Sequence, residues 1–499
     1  MKQQKEQWGS RLGFILAAMG MAVGTGNIWR FPRIVGSNHG GAFIIAYTIC
    51  NLVWVVPLLM MEMGIGKTTR LGAIGSFRDF YGKKKTWLGG WVTLVCAAIT
   101  FYYAVVFGYA MRYFVYAVQG TIKPGFDSEA LWNNFTSTPS QTILFQAIAV
   151  FITGFVIYRG VKGGLEAIGK VAIPTLFISL IIASIWSITQ PGSMTGLQYL
   201  FVPKWSALGT SKLWLNALTQ SAWSAGAGWA MMLTYANYFK ENEDIAVNSF
   251  MITFGDAMGA LVAALAVLPA VFALSATEGA AVEALSAGNY GLTFVYLAKL
   301  FAQIPGGRVI AIVFFFALSL AALTSIIPQT EVIVRNFVNA GFSRQKATIA
   351  VMTGIFVLGV PSAYSINILN NQDWVWGVGL IICGLLFALA VYNYGVDRFR
   401  MEIINKSSDI YVGKWFNFCI RLFPVLLTIV VGWWFYQSIT WNPNNWWNPL
   451  GIDSVGTVVV QWLVTGIAFY LANDWLANWI APTDTLNSGV SGKSLKEEA

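Results

Sequence analysis

The chain has 499 residues, of which 56% are apolar and only 11% are charged, whereas about a quarter of the residues in a soluble protein are charged. Apolar segments of about 20 residues recur along the whole sequence, and each is long enough to cross the ~30 Å hydrocarbon core of a bilayer. The formal net charge of +9 lies mainly between these segments. This composition excludes a soluble enzyme, a secreted module, a disordered regulator and a nucleic-acid binder. It predicts an all-α polytopic membrane protein.

Hydropathy predicts twelve membrane-spanning helices. They cover residues 11–35, 41–66, 88–119, 141–159, 170–190, 211–239, 244–275, 307–338, 345–362, 373–395, 417–439 and 455–481. The segments on one side of the predicted membrane carry most of the basic residues, including Lys67, Arg70 and Arg398. By the positive-inside rule this side is cytoplasmic, so both termini are expected there. The short loops and tails favour a prokaryotic plasma (inner) membrane.

No sequence pattern typical of catalysis is found. The only histidine is His39, and the four cysteines lie in or at the edges of apolar segments without the spacing of zinc ligands. Gly66-Lys67-Thr68 resembles the end of a phosphate-binding loop, but Met61 stands where that loop needs a glycine. We therefore expect no enzyme activity.

Two predicted spans contain matched glycine pairs. Gly24 and Gly26 interrupt the first span, and Gly226 and Gly228 interrupt the sixth. Each glycine weakens a helix by about 1 kcal/mol, although small residues also allow close helix packing. Matched interruptions in the two halves of a chain are typical of transporters in which unwound backbone binds ions and substrate. The first and sixth helices are therefore predicted to be broken.

Around these interruptions the sequence resembles the neurotransmitter:sodium symporter family. The resemblance rests on the segments Asn27-Ile28-Trp29-Arg30-Phe31-Pro32 and Asn38-His39-Gly40-Gly41-Ala42-Phe43, in which His39 departs from the family pattern. It implies twelve transmembrane helices with a 5+5 inverted repeat. The implied divisions are an inner gate segment (1–10), a first repeat (11–190), a second repeat (191–395), two further helices (396–481) and a cytoplasmic tail (482–499).

The resemblance implies two sodium sites. The first would use Ala22, Asn27, Ser224 and Asp256, completed by the carboxylate of the substrate. The second would use Gly20, Val23, Ala321, Thr324 and Ser325. From chemistry alone, the hydroxyls of Thr324 and Ser325 could equally bond to carbonyls of their own helix, whereas a carboxylate in mid-span is a functional candidate by default. Chloride-dependent relatives carry Asn and Ser on the Asp256 helix, so Asp256 implies chloride-independent transport with proton counter-movement.

The resemblance also implies a substrate pocket. Monoamine carriers have an acid at the position of Gly24, so we expect a small neutral amino acid that supplies its own carboxylate to sodium. The implied pocket residues are Gly24, Thr25, Gly26, Ile99, Tyr103, Trp223, Gly226, Trp229, Ser325, Ile326 and Gln329.

Gate residues are implied at both ends of the pocket. They are Arg30, Asp373 and Gln220 outside, and Trp8, Lys5 and Tyr238 inside. At the inner gate, Lys5 replaces the usual arginine and Asn339 replaces an acid, so the family's inner ion pair is expected to be missing. Glu62 is implied to be a structural acid that bonds to a broken helix.

Two alternative functions stay open at this point. A proton-coupled amino-acid carrier of the same fold is disfavoured by the presence of Thr324 and Ser325. A non-transporting amino-acid sensor is disfavoured by the short tails. The sequence does not identify the amino acid, the ion stoichiometry or the oligomeric state.

Overall fold

The computed structural model describes residues 6–304 and 306–480, so Lys5 and the predicted tail 482–499 lie outside the described residues. Within those ranges, nine continuous helices are long and apolar enough to span a membrane, and two further spans are bent helix pairs. The continuous helices are Gly41–Thr69, Lys83–Gln119, Pro139–Tyr158, Val161–Ile188, Ile245–Leu274, Gly307–Asn339, Arg344–Tyr364, Ile366–Tyr394 and Trp415–Trp441. The bent pairs are Arg11–Ala22 with Gly26–Ser37, and Val455–Leu471 with Asn473–Trp479. The predicted all-α polytopic fold is confirmed.

The sixth predicted span explains why fewer than twelve spans are long enough. It is divided into the helices Ser211–Trp223 and Met231–Ala236, of 13 and 6 residues, and neither reaches the ~20 residues needed to cross a bilayer. The first predicted span is likewise divided, with a bend of 50° between its halves. We call these two the first and second broken spans. Both interruptions fall at the predicted glycine pairs, whereas the division of the chain into repeats stays a prediction.

The broken spans lie among the most buried helices. In Lys83–Gln119, Gly307–Asn339 and Ile366–Tyr394, 78% of the most apolar segment is buried, against 22% in Trp415–Trp441. The outward face of Trp415–Trp441 is apolar, with exposed Phe418 and Val425. Since backbone groups in lipid must be bonded within the protein, unwound backbone is tolerated only at the centre of such a bundle.

Candidate functional site

The first broken span is interrupted at the Gly24 motif. The helix Arg11–Ala22 ends where Val23 leaves helical geometry, with φ −80° and ψ 80°, and helical structure resumes at Gly26. A Cβ atom on Gly24 would lie 2.4 Å from Ser325 Oγ. A side chain at position 24 would therefore displace the Ser325 hydroxyl, and glycine allows the unwound backbone to approach this neighbouring helix.

The second broken span is unwound over more residues. Ser224 is extended, with φ −77° and ψ 171°, and Gly226 and Gly228 have φ values of 65° and 92°, which favour glycine. Ala225 and Ala230 adopt the same left-handed region, at 56° and 59°. For residues with a Cβ atom this conformation costs about 1–3 kcal/mol each and is typically found at functional sites.

Glu62 holds the unwound backbone of the second broken span. Its carboxylate is fully buried and accepts hydrogen bonds from the backbone N–H of Gly228 and, at 3.3 Å, of Leu233. The first N–H groups of a helix have no partner within the helix. The Glu62 carboxylate therefore satisfies donors exposed by the break.

Asp256 connects the two broken spans through hydrogen bonds. Its side chain is fully buried; Oδ1 accepts from Asn27 Nδ2 at 2.8 Å, and Oδ2 accepts from Ser224 Oγ at 2.5 Å and from the Tyr47 hydroxyl at 3.0 Å. All these donors are uncharged. Among the described residues, no Lys, Arg or His lies within salt-bridge distance of this carboxylate. The cluster therefore contains an acidic charge without a basic partner.

Thr324 and Ser325 face the first broken span from the helix Gly307–Asn339. A Cβ atom on Gly20 would lie 3.1 Å from Thr324 Cβ, so backbone and helix are in close contact. Thr324 Oγ1 donates to its own helix, to the Leu320 carbonyl at 3.0 Å, whereas the buried Ser325 hydroxyl lies beside Gly24 and Tyr103. The structure thus places Thr324 and Ser325 beside the first broken span, and the second sodium site itself stays a prediction.

A cavity of about 110 Å³ lies between the two breaks. Ten of the eleven predicted pocket residues line it, and at one end Thr25 Oγ1 lies 2.8 Å from the Tyr103 hydroxyl. Ile326 is buried but does not contribute to the lining described for this cavity. Six further lining residues were predicted for the first sodium site or the outer gate, and six were assigned to no site by the sequence: Met21, Trp29, Tyr102, Val106, Met231 and Tyr290. Tyr102 directly precedes Tyr103 in the sequence, a signal that could have identified it.

Comparison with known proteins agrees with this architecture. The chain matches the sodium:neurotransmitter symporter family over residues 5–140 and 136–478. An uncharacterized sodium-dependent transporter of Methanocaldococcus jannaschii is 30% identical over 86% of this chain and 90% of its own length. A second uncharacterized sodium-dependent transporter, YhdH of Bacillus subtilis, is 31% identical over 74% of this chain and 81% of its own length.

Among solved structures, MhsT in complex with L-phenylalanine has a TM-score of 0.75 at 30% identity, covering 86% of this chain and 99% of MhsT. This chain belongs to the sodium:neurotransmitter symporter family. It is accordingly a sodium-dependent transporter. The matched family is a family of transporters, not of enzymes.

The predicted outer gate residues of the symporter line one end of the cavity. Arg30 and Asp373 line both the cavity and a neighbouring vestibule of about 350 Å³. The Arg30 guanidinium lies 4.8 Å from the centre of the Trp223 ring, while Asp373 accepts a hydrogen bond from the Tyr102 hydroxyl at 2.9 Å. Gln220 also lines the cavity. These residues form a polar lining between the cavity and the vestibule.

Packed aromatic rings close the predicted inner end. Trp8 is 4% exposed and Tyr238 is fully buried; Trp8 Nε1 donates to the Tyr235 carbonyl at 3.1 Å, and its backbone N–H donates to the Tyr238 carbonyl at 3.2 Å. Asn339 does not take part in an ion pair but accepts a hydrogen bond from the Gly72 N–H at 2.8 Å.

A charged cluster that the sequence reasoning missed lies beside these rings. Arg344 binds both carboxylate oxygens of Glu331, at 2.8 and 2.9 Å, and Glu6 at 2.7 Å. The Tyr238 hydroxyl donates to Glu331, whose side chain is fully buried, whereas that of Glu6 is 33% exposed. We call Glu6, Tyr238, Glu331 and Arg344 the inner cluster. Glu331 was detectable from the sequence, since an acid within an apolar span marks a functional candidate.

Proposed function

We propose that this symporter couples the inward movement of Na⁺ to that of a neutral amino acid by alternating access. The observation that carries the proposal is the cavity enclosed between the two broken spans, lined by Gly24 to Gly26 on one side and by Ser224 and Gly226 on the other. Discontinuous helices of this kind form the ion and substrate sites of secondary transporters, and alternating access moves one repeat or bundle against the other around that fixed site. The complex of MhsT with L-phenylalanine supports an amino acid as the substrate class.

The first sodium ion would bind beside Asp256. A Na⁺ ion that leaves water needs oxygen ligands inside the apolar bundle. The Ala22 carbonyl and the side chains of Asn27, Ser224 and Asp256 would supply these oxygens. The hydrogen bonds that join Asn27 and Ser224 to Asp256 support this set, because they bring groups from three helices to one point.

The second sodium ion would bind between the first broken span and the helix Gly307–Asn339. Carbonyls of Gly20, Val23 and Ala321 and the hydroxyls of Thr324 and Ser325 would be the ligands. The close approach of Gly24 to Ser325 Oγ and of Gly20 to Thr324 supports this site, because it puts both hydroxyl-bearing residues beside the first broken span.

The substrate would bring a carboxylate to the first sodium ion. Gly24 has no side chain, so the protein supplies no carboxylate at this position. The Tyr103 hydroxyl, next to Thr25, and the backbone N–H of Gly26 would hold the other carboxylate oxygen. Nothing within 4 Å would meet a Cβ atom on Gly26, so there is room for a ligand beside its backbone.

Transport would be independent of chloride and accompanied by proton counter-movement. Asp256 already supplies a negative charge beside the first sodium site, so a bound anion is not needed there. On the return step, without sodium, a proton would neutralise the carboxylate. The uncharged character of all the side chains hydrogen-bonded to Asp256 supports this role for a proton.

We place the symporter in the plasma membrane with both termini in the cytoplasm. The basic residues Lys67, Arg70 and Arg398 support this orientation by the positive-inside rule.

Uptake into proteoliposomes tests the proposal. A panel of radiolabelled amino acids is offered under an inward Na⁺ gradient, with K⁺ in place of Na⁺ as the control, while an internal dye reports pH. We expect accumulation only with Na⁺, equal rates in chloride and gluconate, and internal alkalinisation because protons leave. Accumulation driven by a proton gradient without Na⁺, or binding without accumulation, would contradict Na⁺-coupled symport. Strong chloride dependence would contradict the role given to Asp256.

A further inference from the structure

Two buried polar atoms in the substrate cavity have no hydrogen-bond partner among the described residues. They are the indole Nε1 of Trp229 and the amide Oε1 of Gln329. The side chains are 6% and 2% exposed, and both line the cavity. Leaving such groups unpaired in the protein interior is unfavourable, and most buried polar groups in proteins are bonded. Since both side chains line the same cavity, a substrate bound there would contact both.

The other polar groups that line the cavity either have hydrogen-bond partners or belong to other proposed sites. Thr25 and Tyr103 bond to each other, and Asn27 and Ser224 bond to Asp256. Ser325 lies beside Tyr103, and Arg30 and Gln220 are two further lining residues that have a buried atom, Nε and Oε1, without a hydrogen-bond partner among the described residues. Ser325 belongs to the proposed second sodium site, and the other two residues belong to the proposed outer gate. Trp229 and Gln329 therefore remain for the side chain of the substrate.

The position of Gln329 along its helix suits contact with a substrate side chain. Ser325 touches the backbone at Gly24, beside the proposed carboxylate site, and Gln329 follows one turn later in the helix Gly307–Asn339. Four residues of helix correspond to about 6 Å along the axis. If the α-carbon of the substrate lies level with Ser325, a polar side-chain atom two or three bonds away can reach Gln329 through a hydrogen bond of about 2.9 Å.

The hydrogen-bonding properties of Trp229 and Gln329 define which polar group the substrate side chain would carry. The Trp229 N–H only donates a hydrogen bond, and the Gln329 carbonyl oxygen only accepts one. A hydroxyl or a carboxamide can accept from the first and donate to the second. An apolar side chain would leave both unpaired. Among the described residues, Arg30 and Asp373 at the outer gate are the only charged side chains in the lining, so a charged substrate side chain would have no partner beside Gln329.

We propose that the transported amino acid has an uncharged hydroxyl- or carboxamide-bearing side chain, which Trp229 and Gln329 recognise through hydrogen bonds. The inference rests on the proposed function, since it assumes that an amino acid occupies this cavity. It defines the substrate class by polarity, whereas a cavity lined by aliphatic groups would select by size alone. Sites that bond a polar group on the substrate reject analogues lacking that group strongly.

Matched pairs of amino acids test this inference in proteoliposomes under a Na⁺ gradient. Threonine and valine have nearly the same shape and differ by a hydroxyl in place of a methyl group; asparagine and leucine form a second pair. We expect wild-type kcat/KM to be at least about 10-fold higher for the polar member of at least one pair. This comparison uses the unmodified protein, so it does not depend on the folding of a variant.

Substitutions then assign the discrimination to the two residues. Gln329→Met keeps the length of the side chain without the amide, and Trp229→Phe removes the N–H but keeps an aromatic ring. Each is expected to lower the polar-to-apolar ratio several-fold while uptake stays Na⁺-dependent. The matched control is Gln461→Met in the helix Val455–Leu471, which leaves the ratio unchanged. A ratio unaffected by Gln329→Met overturns the assignment.

The outcomes separate this inference from the proposed function. Na⁺-driven uptake that favours valine and leucine, or that does not distinguish the members of either pair, overturns the inference and leaves amino-acid symport intact. Absence of Na⁺-driven uptake for every amino acid overturns both.

Discussion

Replacing Arg344 with alanine is expected to open the inner end of the symporter. Arg344 forms a two-point ion pair with Glu331, and the Glu331 side chain is fully buried. Removing one member of a buried pair leaves an uncompensated charge and costs about 3–5 kcal/mol. The pair with Glu6, whose side chain is 33% exposed, adds at most about 1 kcal/mol. Since about 1.4 kcal/mol corresponds to a factor of ten, the closed inner end would lose at least about 100-fold in population.

Hydrogen–deuterium exchange measures this loss directly. The backbone N–H of Trp8 is protected by its bond to the Tyr238 carbonyl, so peptides that contain Trp8 report closure of the inner end. We expect their exchange to accelerate at least about 100-fold in Arg344→Ala in lipid nanodiscs, in proportion to the loss of the closed population. The additional substitution Glu331→Gln removes the buried charge and is expected to restore protection partly.

A surface arginine provides the matched control. Arg398 pairs with Glu402 where both side chains are about half exposed, and such pairs contribute about 0–1 kcal/mol. Arg398→Ala should therefore leave exchange near Trp8 unchanged. If folded Arg344→Ala shows wild-type protection at Trp8, the inner cluster does not hold the inner end closed. The same conclusion follows if Glu331→Gln gives no rescue.

Three further predictions concern the ion and substrate sites. The double substitution Thr324→Ala with Ser325→Ala removes two hydroxyl ligands and leaves three carbonyls, so the Na⁺ concentration giving half-maximal uptake should rise several-fold; an unchanged value in folded protein would argue against the second sodium site. Decarboxylated analogues should compete at least about 10-fold more weakly than their parent amino acids in uptake assays, because they bring no carboxylate to sodium; equal competition would refute that contact. Asp256→Ser should make uptake depend on external chloride and abolish the internal pH change, as measured with gluconate replacement and a trapped dye; loss of neither property would exclude Asp256 from both roles.

The broken helices were predictable because their signal is local. Paired glycines in apolar segments indicate unwinding without any knowledge of the neighbours, and the breaks occur at Gly24 and Gly226 as expected. The number of long spans was harder to predict, because hydropathy averages over a window and does not register an interruption. Hydropathy predicted one continuous span over the helices Ser211–Trp223 and Met231–Ala236, which the structure separates.

The inner cluster was not predictable in the same way. The family resemblance points to Lys5 and Asn339 as the positions of the inner ion pair. Lys5 lies outside the described residues, and Asn339 accepts a hydrogen bond from backbone. Arg344 and Glu331 come from consecutive helices joined by a short turn, and Glu6 comes from more than 300 positions away in the chain. Only the packing of helices brings such residues together, and a single sequence contains no measure of that proximity.

The proposed role of Asp256 would connect the ion site to the transport cycle. With two Na⁺ ions and a zwitterionic substrate bound, this carboxylate would have cations as neighbours; with the site empty, its described hydrogen-bond partners are all uncharged. An unpaired charge at mid-membrane costs about 3 kcal/mol or more, which would slow the return of the empty protein about 100-fold. Binding a proton would remove this cost, and rebinding sodium would displace the proton. One buried carboxylate would thus exchange sodium for a proton in each cycle, and no chloride ion is needed to balance the site.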